Sequence, residues 1–61
     1  MIVKEIYNKE NDSMYRIYKN NLGLYDVEYL EHSKICNTWN KISKDNNYSK
    51  NVIESIFYIK L

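Results

Sequence analysis

His32 and Cys36 are the residues of this chain with nucleophilic or metal-binding character, and their i, i+4 spacing would bring them together on a helix. A cysteine nucleophile needs a base, an orienting group and oxyanion donors set in a cleft. A 61-residue chain with one glycine has little means of building that cleft. A metal would need further ligands, and only Asp26, Glu28 and Glu31 lie nearby in sequence. With one cysteine and one histidine, a four-ligand zinc cluster of these types cannot be assembled. Both residues are therefore read as structural, Cys36 as a small buried hydrophobe and His32 as a polar residue where a strand gives way to a helix.

Asp26 and Glu28 form a carboxylate pair on one face of a predicted strand. Acid–base chemistry on a sugar would require carboxyls at a fixed separation across a groove. No groove is predicted, so they are expected to solubilise the strand and to pair with Arg16. Gly23 falls in a predicted turn, which leaves no glycine-rich phosphate loop. The expectation is a chain with no catalytic residues, no metal and no cofactor, hence not an enzyme.

Lys34, Lys41 and Lys44 share one side of a predicted helix and Lys50 follows, which makes them the candidate nucleic-acid contacts. Three or four phosphate contacts give weak, salt-sensitive binding. Arg16 is the only arginine, a poor endowment for base readout, and a formal net charge of +1 supplies no steering field. Tyrosine is the better signal, because Tyr is over-represented at interface hot spots. Tyr7, Tyr18, Tyr48 and Tyr58 are the candidate protein-binding residues, whereas Trp39 is expected to face inward.

Three polar clusters punctuate the elements that must position these side chains: Asn8 to Ser13, then Asn20, Asn21 and Gly23, then Lys44 to Asn47. Ile2 to Tyr7, Met14 to Lys19 and Leu24 to Leu30 read as strands. The second and third strands bring their apolar faces together, Tyr15 and Ile17 against Tyr25, Val27 and Tyr29, only when paired residue numbers have an even sum. That requires an odd-length loop of about three or five residues, with Gly23 left-handed. The same register sets Arg16 opposite Asp26 or Glu28.

From Ser33 onward, Ile35, Trp39 and Ile42 recur at i, i+4 and i+7 and predict an amphipathic helix to Lys44, N-capped by Ser33. Val52 to Leu61 carries both patterns. A helix would align Val52, Ile53, Ile56 and Phe57, with Asn51 and Glu54 at capping-box spacing. A strand avoids placing Lys60 in the apolar arc and suits the Ile, Phe and Tyr content, so a strand is favoured.

The fold class predicted is α+β in a single domain, residues 1–61: a β-β-β meander, one α-helix, then a C-terminal strand or second helix. Ile, Lys, Asn and Tyr account for 32 of the 61 residues, the composition that AT-rich coding produces. Excess Lys and Asn is thus no signature of nucleic-acid binding. The chain opens on Met1 and reads as a complete short frame of the kind common in bacteriophages and mobile elements. Without a disulfide, its stability must come from aromatic burial or from association, and a homodimer is one expectation. No signal peptide or membrane span is visible, and a cytoplasmic location is expected. The functional expectation is a small inhibitor of anti-defence type, docking on a larger host or viral protein. The alternatives are a nucleic-acid-binding regulator that uses the lysine face of the 33–44 helix and an oligomeric sponge for a nucleotide signal.

Overall fold

The computed structural model describes residues 1–61 and has an α+β fold: four antiparallel strands in the order β1-β2-β3-β4, followed by one helix. The strands are β1 (Ile2–Asn8), β2 (Ser13–Lys19), β3 (Tyr25–Ser33) and β4 (Thr38–Tyr48), and the helix is α1 (Lys50–Phe57). The first three strands lie within a few residues of their predicted spans. No helix is long and apolar enough to cross a membrane.

Residues 20–24 join β2 to β3, the odd-length loop that the apolar pattern demands. Tyr15 opposes Tyr29 and Ile17 opposes Val27, so the predicted register holds. Gly23 adopts φ 76° and its N–H donates to the Asn20 carbonyl at 3.1 Å. The Asn20 side chain finishes the turn by accepting from the N–H groups of Leu22 and Leu24, at 2.9 and 3.1 Å. This is the turn chemistry in which asparagine substitutes for a backbone acceptor.

Arg16 does oppose Glu28 in the ladder, yet its ion pair is formed elsewhere. Its Nε donates to Glu5 at 2.9 Å, and Glu5 is its directly opposed neighbour on β1. A central strand has two neighbours, and the charge on β1 wins the arginine. Glu28 instead accepts from the Tyr18 hydroxyl at 2.7 Å.

The largest departure from expectation lies at residues 33–48. The predicted helix from Ser33 to Lys44 does not form; the segment is a turn followed by the long edge strand β4. Ser33 does make the hydrogen bond expected of a cap, accepting from Cys36 N–H at 3.3 Å, but that bond closes a hairpin turn. Asn37 then takes φ 52° and reverses the chain. A bulge between Tyr29 and Leu30 leaves Ile42 without a partner, so the apolar residues of β4 lose the period-2 alternation that marks a strand. Their spacing imitates a helix. Ile35 is 98% exposed, and Cys36, expected to be buried, is exposed on the turn. The cluster Lys44 to Asn47 is likewise no turn: it belongs to β4, where a second bulge absorbs Asn47 at φ 66°.

The C-terminal segment corrects the favoured strand to the alternative helix. Ser49 caps it, accepting from Val52 N–H at 3.4 Å, and the left-handed Tyr58, φ 55°, stops it before Lys60. Lys60 is therefore never inside the apolar arc. The tail turns back, and Leu61 N–H donates to the Glu54 carboxylate at 2.8 Å. The helix is needed because the face carrying Ile17, Tyr25 and Val27 would otherwise stay in water. Ile53 covers them, and Ile17 and Ile53 are fully buried. Tyr25 is the only aromatic side chain in the buried core, so aromatic burial is a smaller source of stability than the composition suggested.

Candidate functional site

One face of the sheet lies under α1 and the other is bare. Directly opposed residues share a face, so the ladder places Arg16, Glu28 and Lys44, and likewise Met14, Leu30 and Lys41, on the bare side. Met14 and Leu30 are buried there without help from the helix, at 9% and 5% exposure.

At the end of this face, the turns after β1 and β3 come together. Asp12 occupies the first turn at φ 52°, a conformation that Asp tolerates better than most residues, and its carbonyl accepts from His32 N–H at 3.0 Å. Its carboxylate accepts the Tyr7 hydroxyl at 2.8 Å on one oxygen and His32 Nδ1 at 2.7 Å on the other. The second ring nitrogen of His32 lies 3.1 Å from Asn37 Oδ1 in the other turn. Two oxygens thus face the two ring nitrogens, an arrangement that favours the doubly protonated imidazolium.

The protonation states follow from these bonds. Asp12 raises the His32 pKa above its usual value, and Asn37 adds to the effect. The Asp12 carboxyl is lowered, first by the Tyr7 hydroxyl and then by His32. Tyr7 is raised because ionising it would break its bond to a carboxylate. Trp39 covers the group. Its ring is 5.1 Å from His32, centroid to centroid, and meets Tyr7 edge-on at 6.0 Å and 79°. Trp39 was expected to face inward from a helix; it stands instead on β4 opposite His32, 37% exposed.

Further along the bare face, Glu28 accepts the Tyr18 hydroxyl and lies 3.9 Å from Lys41 Nζ, while Lys44 Nζ sits 5.7 Å above the Tyr18 ring. Asp26 is held by Asn20 Nδ2 at 2.9 Å and by Asn47 N–H at 3.1 Å, which lowers its pKa. Its carboxylate is committed to the hairpin.

Of the four tyrosines singled out from the sequence, Tyr7 and Tyr18 share the bare face with Trp39. Tyr48 packs against the core on the opposite face, and Tyr58 lies 94% exposed at the end of α1. The lysines are divided too. Lys41 and Lys44 lie on the bare face, Lys34 is in the turn before β4 and Lys50 begins α1, so the single helical lysine face does not exist. Asp12 escaped notice because it looked like an ordinary turn residue, and Asn37 because it fell on the polar side of the helix predicted from Ser33 to Lys44. Reading residues 33–38 as a hairpin would have set Trp39 opposite His32 and revealed the cluster.

His32 and Cys36, whose i, i+4 spacing would have brought them together on a helix, are separated in role: the imidazole joins the sheet network and the thiol lies on the turn. No group of three or more His, Cys, Asp or Glu side chains is arranged to hold a metal ion. The bare face can offer aromatic surface framed by fixed polar groups, with Arg16, His32 and Lys41 beside carboxylates and Lys44 over the Tyr18 ring. Comparison with family models, with curated proteins and with solved structures finds no match to this chain.

Proposed function

We propose that this chain is a non-catalytic binding protein that docks its bare sheet face on a larger protein, inhibiting or redirecting it. The observation that carries this reading is the one-sided cover of the sheet, with Trp39 and Tyr7 left partly exposed over an ordered polar network. Aromatic residues held rigid by their neighbours are the common anchors of protein interfaces. Size agrees: the broad side of the molecule measures 37 by 22 Å. That is on the order of 800 Å², the area a standard interface takes from each partner. A host defence protein is the class of target to which the sequence expectation extends.

Charge decides between a protein partner and nucleic acid. Arg16 is paired with Glu5, His32 with Asp12, and Lys41 lies near Glu28. Phosphates would have to displace these carboxylates or accept them as neighbours. The second reading rests on Lys44 above Tyr18, a combination that could stack a base and hold a phosphate.

Affinity purification from the native host, using the intact chain beside Trp39→Ala and Tyr58→Ala variants, tests the proposal. A specific protein partner should be retained by the intact chain and by Tyr58→Ala. Loss of a central aromatic anchor typically costs 2 kcal/mol or more, about thirtyfold in affinity, so Trp39→Ala should release the partner. Binding that ignores Trp39→Ala overturns the assignment of this face. Nucleic acid retained at physiological salt and lost on Lys41→Ala, Lys44→Ala substitution would favour the second reading.

A further inference from the structure

On the side of the sheet away from His32, a cavity of about 160 Å³ opens between α1 and the strands. Its walls are Tyr15 of β2, Val27 of β3, Asp45 and Tyr48 of β4, and Ile56 and Phe57 of α1. An apolar cavity of about 150 Å³ accepts a benzene-sized molecule, whereas drug-sized ligands need about 300 Å³ or more. The occupant must be a compact group.

Asp45 supplies the only charge on these walls and takes part in none of the three ion pairs of the molecule. Around it stand three rings from three different elements. Tyr15 packs on Phe57 at 5.0 Å and 60°, and on Tyr29 at 5.0 Å, so these two rings of the wall are held in place before any ligand arrives. A carboxylate beside electron-rich ring faces selects a cation. The type of cation is set by the rest of the lining. Tyr15, Tyr48 and Asp45 can accept from an ammonium or guanidinium, but Val27, Ile56 and Phe57 offer no side-chain acceptor, so apolar methyl groups suit those walls better than N–H donors. A quaternary ammonium has no N–H and spreads its charge over apolar methyl groups.

We propose that this cavity binds a quaternary ammonium group, its methyls against Tyr15, Tyr48 and Phe57 and its charge balanced by Asp45. The site lies on the opposite side of the sheet from the proposed docking face, so either assignment can fail without the other.

The test is a nuclear magnetic resonance titration of the intact chain with tetramethylammonium and choline, with 3,3-dimethylbutanol as the neutral isostere of choline. Both cations should shift the ring signals of Tyr15, Tyr48 and Phe57 to saturation, and the neutral alcohol should bind about tenfold more weakly, the worth of the cation–π contribution. Asp45→Asn alters an exposed side chain and should weaken choline by about threefold to fivefold, as expected for a partly solvated charge pair. Retention of the protein on phosphatidylcholine vesicles alongside these shifts assigns the group to a lipid headgroup; the shifts without retention assign it to a soluble cation. Equal binding of the neutral isostere, indifference to Asp45→Asn, or no saturable shift at the three rings overturns the proposal.

Discussion

Asp12 shows how much one turn residue can organise. Its left-handed backbone aims a single carboxylate at Tyr7 and His32 together, tying the first and third turns of the meander across the sheet end. The pH dependence follows from the sign of the shift. The folded-state pKa of His32 lies above its ordinary value of 6.5, so the stabilisation is complete below that value and is lost as pH rises through the folded pKa. Asp12 sets the acid limit, because its lowered pKa means its contribution fades only as pH falls below the ordinary carboxylate value of 3.8. His32→Gln is therefore expected to lower the melting temperature more at pH 5.5 than at pH 8.5. Thermal melts of both proteins at the two pH values check it, and an equal loss at both would remove the imidazolium from the account. Tyr58 offers a second case. It is left-handed at φ 55° with its side chain 94% exposed, so it carries backbone strain while burying almost nothing. Tyr58→Gly should raise stability by about 1 kcal/mol, measured by urea unfolding, because glycine enters this region without steric cost.

α1 is a two-turn element that could not persist alone, since isolated helices this short are marginal in water. It is held by Ile53, its only fully buried side chain, seated on Ile17, Tyr25 and Val27. Ile53→Ala should cost about 2–5 kcal/mol, the range for a buried Ile cut to Ala. At roughly 0.05–0.15 kcal/mol per residue, a chain of this length has about 3–9 kcal/mol in total. Circular dichroism should show Ile53→Ala largely unfolded or melting far below the parent. The equivalent change at Val52, which is 42% exposed, should cost less than about 1 kcal/mol. β4 is held differently: Trp39 and Ile42 remain exposed, Tyr48 at its end packs on the core, and the rest of the strand is placed by backbone pairing with β3. Two bulges together with Lys41 and Lys44 also make its outer edge a poor template for another strand.

Across the whole molecule the apolar core is thin, with six buried apolar side chains divided between two faces of one sheet. Amide hydrogen exchange should accordingly be slowest in β2 and β3, which are paired on both sides, and faster in β1, β4 and α1. Faster exchange in β3 than in β4 would contradict this layering. The same layout leaves one face of the sheet without a covering element. A single helix suffices for one side, and the other keeps its aromatic and charged residues at the surface.

The local signals in the sequence were sufficient for the first half of the chain. Asn20 and Gly23 specify a turn, and the apolar parity of Tyr15, Ile17, Tyr25 and Val27 allows one register, because a slip of one residue would turn the core face to water. The same parity places Tyr18 outward, on the face it occupies. The second half was decided by tertiary structure. Ile35, Trp39 and Ile42 have helical spacing, yet β3 offered an unpaired edge, and two bulges accommodated the mismatch. Val52 to Leu61 has both patterns, and became a helix because the sheet already had its strands and needed its Ile17 face covered. The place of Trp39 over Tyr7, Asp12 and His32 depends on the pairing of β4. Tyr7, Asp12 and His32 meet within the first three strands, but Asn37 and Trp39 join them only when β4 lies beside β3, and local sequence carries no record of which neighbour an edge will find.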